Sequence, residues 1–322
     1  MHEDAGTWAL VLAAGDGTRL RSLTTVSSGS TIPKQYCSLH NGPSLLQEAV
    51  ARAGAVASRE RTCAVVAEQH RRWWGNSLSC LPRANVIAQP ANRGTANGIL
   101  LPLLHIVERD PDARVVLLPA DHHVRREAVL AAALRKAVEQ LDWRFDEILL
   151  LGLKPEEADP ELGYIVPGRG DGRGALHVGQ FIEKPEMAHA RELAERGALW
   201  NVFIVAATAR ALLALLRRRM PREFAAMHAA VRNELRGEAG AVAGLYDRLP
   251  QLDFSRDILP GEEADLRVLP VPQCGWSDLG TPQRVAAALS QVAAPPAAAA
   301  AGIGAMCWSL AAQHARLNRC AT

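Results

Sequence analysis

Trp8-Ala9-Leu10-Val11-Leu12-Ala13-Ala14-Gly15-Asp16-Gly17-Thr18-Arg19-Leu20 is the stretch on which the reading of this chain turns. An uninterrupted apolar run ends in glycines, the pattern of a buried strand feeding a tight loop. Gly15 and Gly17 beside Thr18 let the backbone come close to a charged ligand and aim its N–H groups at phosphate oxygens. Arg19, and Lys34 beyond a Ser/Thr/Gly-rich loop, would add positive charge to the same anion. An ordinary strand turn with solvated charges carries the same residues, so the loop has to be judged together with the turns downstream of it. Two phosphate motifs are excluded. The dinucleotide fingerprint needs a glycine where Leu20 stands, and the Walker loop needs a Gly-Lys-Ser/Thr that is absent.

Further along, apolar spacing predicts a helix over 45–57, a buried strand over 62–67 and a short strand over 85–88. Arg71-Arg72-Trp73-Trp74 reads as a surface helix, with the tryptophans either a stacking platform or a cover for the sheet. The third strand ends in Gln89-Pro90-Ala91-Asn92-Arg93-Gly94-Thr95-Ala96, a polar turn before a helix over 99–108. Amide side chains offer both donors and acceptors, as reading a base edge requires, and Gly94 would let the backbone lie flat against a ring. The same turn also reads as an N-capped helix start with Thr95 near the cap. A fourth strand over 114–119 delivers Asp121, His122 and His123. Ligands of open α/β sheets sit beyond the carboxyl ends of strands, and an Asp there suits a hard cation such as Mg²⁺. Adjacent histidines rarely point the same way, which argues against a His-ligated metal.

A helix over 128–141 and a strand over 147–152 continue the strand-helix alternation of an α/β sheet with helices on both faces. The texture then changes. Segments 162–168 and 176–182 flank a Gly/Arg-rich connection and predict a hairpin laid over the sheet edge, ending in Glu183-Lys184-Pro185. A helix over 186–196, a strand over 199–206 starting near Asn201, helices over 207–218 and 222–235 and a strand over 266–271 come next. Cys274 to Thr281 then form a second acidic turn, containing Asp278, that opens a helix over 282–289. The expected organisation is one domain over 1–291, in two halves over 7–154 and 155–291. Beyond it an Ala/Pro linker over 292–304 leads to a tail over 305–322, a short helix or disordered.

Composition limits what such a chain does. Its 322 residues are 48% hydrophobic, enough for a sizeable core, and the net charge of +2 asks for neither nucleic acid nor an anionic membrane. Positive charge at a site must therefore be local. Six cysteines without a C-x-x-C pair argue against zinc and against a disulfide scaffold. With an acidic N-terminus and no apolar span of membrane length, the cytoplasm is the expected compartment.

Together, the turns resemble those of the sugar-1-phosphate nucleotidyltransferases, the mannose-1-phosphate guanylyltransferases most of all. The resemblance spans Leu10 to about Leu289. In order, it rests on Gly-Asp-Gly-Thr-Arg-Leu at 15–20, Pro-Lys-Gln at 33–35, Gln-Pro-Ala-Asn-Arg-Gly-Thr-Ala at 89–96 and Pro-Ala-Asp-His at 119–122. Gly-Tyr-Ile at 163–165, Glu-Lys-Pro at 183–185, Trp-Asn at 200–201 and Trp-Ser-Asp-Leu-Gly at 276–280 complete it. It implies a nucleotide-diphospho-sugar transferase fold: a Rossmann-like mixed, mostly parallel central sheet with helices on both faces and a β-hairpin/helical sugar-binding lobe.

The resemblance also implies roles, with a nucleotide half over 7–154 and a sugar-phosphate half over 155–291. Leu12, Ala13, Ala14, Gly15, Gly17 and Thr18 would hold the nucleotide, with Arg19 and Lys34 on its triphosphate. Gln89, Asn92, Gly94 and Thr95 would face the base. Gly163, Tyr164, Glu183 and Asn201 would bind the sugar, Lys184 its phosphate, and Asp121 and Asp278 would hold Mg²⁺. The implied reaction is GTP with mannose 1-phosphate, giving GDP-mannose and pyrophosphate. Uridylyl or thymidylyl transfer to glucose 1-phosphate, or a non-catalytic nucleotide-sugar-binding relative, stay open. The partners implied are these small molecules, without nucleic acid or membrane, and homo-oligomerisation is left open. The chain departs from the family pattern in a longer loop over 21–32, in a single Gly-Tyr, and in Val202-Phe203 where Ser-Gly is more usual.

Overall fold

The computed structural model describes residues 6–25, 29, 31–40, 42–141, 146–170 and 172–291. The expected linker over 292–304 and tail over 305–322 lie outside the described residues. The first half of the chain runs through β1 (Thr7–Ala13), α1 (Arg21–Thr24), α2 (Leu45–Ala53), β2 (Thr62–Ala67), α3 (Arg71–Ser77) and β3 (Val86–Gln89). It continues with α4 (Gly94–Arg109), β4 (Arg114–Pro119), β5 (His123–Val124), α5 (Glu127–Gln140) and β6 (Ile148–Leu153). After β7 (Gly163–Gly170), β8 (Leu176–Ile182) and α6 (Met187–Glu195) come β9 (Leu199–Thr208), α7 (Ala209–Arg219), α8 (Pro221–Leu235) and α9 (Ala241–Tyr246). β10 (Leu266–Val271), β11 (Trp276–Ser277) and α10 (Pro282–Gln291) complete the described elements.

Nine strands form one sheet in the order β3-β2-β1-β4-β9-β6-β10-β8-β7. The neighbours β3, β2, β1 and β4 are parallel, as are β6 and β10, while β9 runs antiparallel to both β4 and β6. Following these pairings across the sheet, only β8 and β9 oppose the common direction. β7 also pairs with β9, so β9, β6, β10, β8 and β7 close a circuit of strand pairings. The hairpin expected to lie over the sheet edge is thus built into the sheet.

The apolar runs are continuous because both faces are covered. In β1, Ala9, Val11 and Ala13 face a core shared with α2, α3 and α5, while Trp8 and Leu10 face one shared with α4, α7 and α8. β4 splits the same way, with Val116 and Leu118 on one side and Val115 and Leu117 on the other. Trp74 is buried in the first core and donates its indole N–H to the Ala67 carbonyl at 2.9 Å, so this tryptophan serves to seat α3 on the sheet. A third cluster, with Tyr164, Leu193 and Trp200, holds α6 against β7 and β9.

The parallel strands present their carboxyl ends along one edge of the sheet. Loops 14–20 after β1 and 120–122 after β4 lie side by side there, joined by the Ala120 N–H donating to the Leu12 carbonyl at 3.0 Å. The two-stranded pairing of β5 with β11, His123 opposite Ser277, brings the 274–281 turn to the same place.

Candidate active site

Along that edge opens a cleft of about 480 Å³. One end is made by Leu12, Ala14, Gly15, Gly17, Arg19, Gln89, Asn92, Gly94 and Thr95. The other carries Gly163, Glu183, Lys184 and Asn201, with Asp121 and Asp278 also in the wall.

The glycine loop is anchored from behind. Gln35, buried, donates its amide to the carbonyls of Ala13 (3.0 Å) and Gly15 (2.8 Å). Asp16 accepts from Gln69 Nε2 at 2.7 Å and Asn92 Nδ2 at 3.0 Å, tying the loop to the turn after β3. Gly17 sits at φ 60 with the Lys34 backbone nitrogen 3.0 Å from where a Cβ would be, so both conformation and space demand glycine. Nothing lies within 4 Å of such a Cβ at Gly15, which faces open space.

At the turn after β3, the reason for glycine differs from the expected one. Gly94 has φ 83, and a Cβ there would collide with the Leu252 backbone, 2.7 Å from its carbonyl carbon. Thr95 does not cap α4; its hydroxyl meets Asp253 Oδ2 at 3.2 Å and accepts the Phe254 N–H at 2.7 Å. Both residues still line the cleft, but they also lock a π-helical turn, Phe254–Ile258, onto it. Gln89 also lines the cleft, and its buried Oε1 has no hydrogen-bond partner.

Lys34 gathers the two acidic turns. Its Nζ lies 2.9 Å from Asp121 Oδ2 and donates to the Asp278 backbone carbonyl at 2.6 Å. Burial is the largest single influence on the Asp121 carboxyl and would raise it, but the Lys34 ammonium, His122 and hydrogen bonds together hold the group below the usual carboxylate range. Burial pushes the neighbouring His122 down to about 4 against the opposing pull of Asp121, so this imidazole is neutral at pH 7. Its Nδ1 accepts the Trp276 indole N–H at 3.2 Å. His123 points elsewhere, toward a second hollow shared with Arg52 and Glu127. The Asp278 carboxylate pairs with Arg284 of α10, which also grips Asp159. Arg19 pairs with Glu161 at 3.2 Å.

At the other end, burial and the nearby Asp253 carboxylate push Glu183 up to about 7 despite Lys184 beside it. Its Oε2 would lie 2.6 Å from a Cβ at position 163, so Gly163 leaves room for that carboxyl. Lys184, Phe203 and Leu279 are non-glycine residues with positive φ (48, 55 and 49), and all three lie in the cleft wall or next to it. Lys184 is moreover followed by Pro185, a position that ordinarily holds extended backbone. Strain of this kind costs about 1–3 kcal/mol per residue and concentrates at functional sites.

Four of the sequence-predicted residues do not line the cleft. Ala13 faces the first core, and Thr18 begins a turn of helix directed away from the lining. Lys34 is buried behind the acidic turns and reaches the site through its ammonium. Tyr164 is a correction: it is fully buried on the other face of β7, its hydroxyl accepting the Asp159 N–H at 2.8 Å, and makes no wall for a sugar. The sequence reading gave no role to Asp16, Gln35, Glu161 or the 251–256 segment. Asp16 and Gln35 stood inside quoted motifs, whereas 251–256 shows no periodicity and no motif.

Comparison with known proteins gives the family. The profile of the nucleotidyl transferase family matches residues 8–294. The chain belongs to that family. The xanthan biosynthesis protein XanB of Xanthomonas campestris pv. campestris (strain B100) is 30% identical over 283 residues, covering 84% of this chain and 57% of that protein. The mannose-1-phosphate guanylyltransferase of Salmonella muenchen is 28% identical over 293 residues, 84% of this chain and 57% of its own length. The chain thus spans 57% of each of these two relatives. A crystal structure from Thermus thermophilus, described as a mannose-1-phosphate geranyltransferase, superposes with a TM-score of 0.74 at 26% identity, covering 89% of this chain and 80% of that one. This nucleotidyl transferase therefore has the nucleotide-diphospho-sugar transferase fold.

Family members use a divalent cation. No group of three His, Cys, Asp or Glu side chains suited to a metal occurs among the described residues. Asp121 and Asp278 instead offer two hard oxygen donors in one cleft wall, the set that suits a small divalent cation completed by phosphate oxygens and water. The residues fit such an ion, with Lys34 and Arg284 as the counter-ions they now hold.

Proposed function

We propose that this chain forms an NDP-sugar and pyrophosphate from an NTP and a sugar 1-phosphate, with GTP and mannose 1-phosphate giving GDP-mannose. The observation that carries the proposal is the Lys34 ammonium held between Asp121 and the Asp278 carbonyl, in a cleft with a glycine loop at one end and Glu183-Lys184 at the other. In this reading an oxygen of the sugar phosphate attacks the α-phosphorus of the NTP, and the bond to the β-phosphate breaks, its electron pair leaving with pyrophosphate. No dedicated base is needed, because the second pKa of a phosphate monoester is about 6. The difficulty is bringing two polyanions together, in line and with charge neutralised. Arg19 and Lys34 serve the triphosphate, and Lys184 the sugar phosphate. Mg²⁺ held by Asp121 and Asp278 would supply further charge neutralisation at the phosphates.

The unpaired, buried Gln89 Oε1 offers an acceptor to an N–H of the base. Guanine N1–H and N2–H and the N3–H of uracil or thymine are all donors it could take, so the choice of GTP rests on the relatives named mannose-1-phosphate guanylyltransferases. Satisfying a buried acceptor contributes more than a solvent-exposed hydrogen bond does. The relatives named mannose-1-phosphate guanylyltransferases support mannose as the sugar. A reaction on phosphorylated substrates of this kind belongs in the cytoplasm. A matrix of four NTPs against mannose, glucose and galactose 1-phosphates, read by pyrophosphate release with Mg²⁺, tests the proposal. Release should be fastest with GTP and mannose 1-phosphate. A preference for UTP or dTTP with glucose 1-phosphate would replace the substrates, and no release from any pair would refute the reaction.

A further inference from the structure

Phe203 occupies a backbone conformation that a glycine would adopt without cost. Its φ is 55, in the left-handed region, where a bulky side chain loses about 1–2 kcal/mol. The position lies in an irregularity of β9: Leu150 pairs with Val205 and Gly152 with Asn201, so β9 carries extra residues between the two pairings. Such bulges redirect side chains. The Phe203 N–H donates to Asn201 Oδ1 at 3.1 Å, closing a tight turn that fixes the Asn201 amide. The other end of that amide donates to Ser255 Oγ at 3.4 Å.

The redirected ring lines the cleft at the end that carries Glu183 and Asn201. It is braced edge-on against Phe254, with ring centroids 6.2 Å apart and planes at 76°. Phe254 in turn is fully buried and held by Thr95 through its N–H. The ring is therefore a half-buried apolar surface in a cleft whose lining also holds the Asn201 amide, the Ser255 hydroxyl, the Glu183 carboxyl and the Arg256 guanidinium. That combination matches a pyranose ring, whose C–H face packs on an aromatic surface while its hydroxyls bond at the edges.

Building on the function proposed above, we infer that Phe203 packs against the ring of the sugar 1-phosphate and determines which sugar is accepted. The ring also packs on Phe254 and the second core, and the strain at φ 55 is retained for a side chain that serves both that packing and this contact.

The test compares wild type with Phe203→Gly and Phe203→Tyr, measuring sugar 1-phosphate binding by calorimetry, KM for each substrate, and Tm. Phe203→Gly removes the ring and the strain together. Its Tm should stay within about 2 °C of wild type or rise. Affinity for the preferred sugar 1-phosphate should fall at least tenfold, KM for the NTP should change less than twofold, and preference between hexose 1-phosphates should shrink at least fivefold. Phe203→Tyr should keep the wild-type preference. Unchanged sugar affinity and preference in Phe203→Gly would overturn the inference. So would an equal rise in both KM values with a lowered Tm, which marks a merely structural ring. Calorimetry needs no turnover, so a wild type that binds sugar phosphates without reacting would refute the reaction while Phe203 stayed testable. A wild type that binds none would refute both.

Discussion

Glu183 and Asp121 show how one cleft sets two carboxyl groups to opposite tasks. Glu183 is buried and pushed up to about 7, so near neutrality it exchanges between a hydroxyl donor and a carboxylate acceptor. Its folded pKa lies above the ordinary value of 4.5, so the native state binds the extra proton between the two. This contribution to stability is fully present below about 4.5 and is lost as pH rises through about 7. Glu183→Gln should therefore flatten the fall in urea midpoint between pH 5 and 8, and a slope identical to wild type would remove Glu183 as its source. Asp121 is held in the ionised form by Lys34. Asp121→Asn keeps the shape but removes the charge that a divalent ion would need. Pyrophosphate release should drop by roughly 10²–10³-fold, with the far-UV circular dichroism unchanged. Full activity would move the cation elsewhere.

The turn elements carry the second set of expectations, because their glycines serve different ends. At Gly94 an added methyl meets the Leu252 backbone in a left-handed conformation, so Gly94→Ala should cost about 2–4 kcal/mol in denaturant unfolding. Gly15 faces open space with no strained φ, so Gly15→Ala should stay within about 0.5 kcal/mol. Any activity lost in Gly15→Ala then reflects a ligand kept at a distance. This contrast marks how far the sequence was legible. Apolar runs placed β2, β4 and β10 at the bounds observed, since a strand covered on both faces writes itself as a largely hydrophobic segment, broken in β10 only by Arg267 and an exposed Pro270. The motifs also brought residues far apart in the chain to one cleft, Gly15 and Lys184 among them. Legibility ended where partners are distant and polar. Nothing local in Gln251–Arg256 says that it packs on Gly94 and Thr95, because that fit is Leu252 backbone against Gly94 and a Thr95 hydroxyl reaching residues far along the chain. The Val202-Phe203 departure was visible, but its meaning lay in a dihedral angle.

For the molecule as a whole, the position of β9 decides how the chain unfolds. It belongs to the second half of the sequence yet lies between β4 and β6 of the first, hydrogen-bonded to both. Residues 7–154 and 155–291 therefore share one sheet. Urea unfolding followed by tryptophan fluorescence and by far-UV circular dichroism should give one coincident transition for the described fold, and two separated midpoints would show independent halves. The ion pairs in the cleft carry a consequence of another kind. Arg19 is matched by Glu161, Lys34 by Asp121, and Arg284 by Asp278 and Asp159. A polyanion arriving at these three cations meets fields already cancelled within a few ångströms, so they do little to draw it in from afar. Capture becomes an exchange of counter-ions on contact, and its speed is governed by how quickly those carboxylates let go.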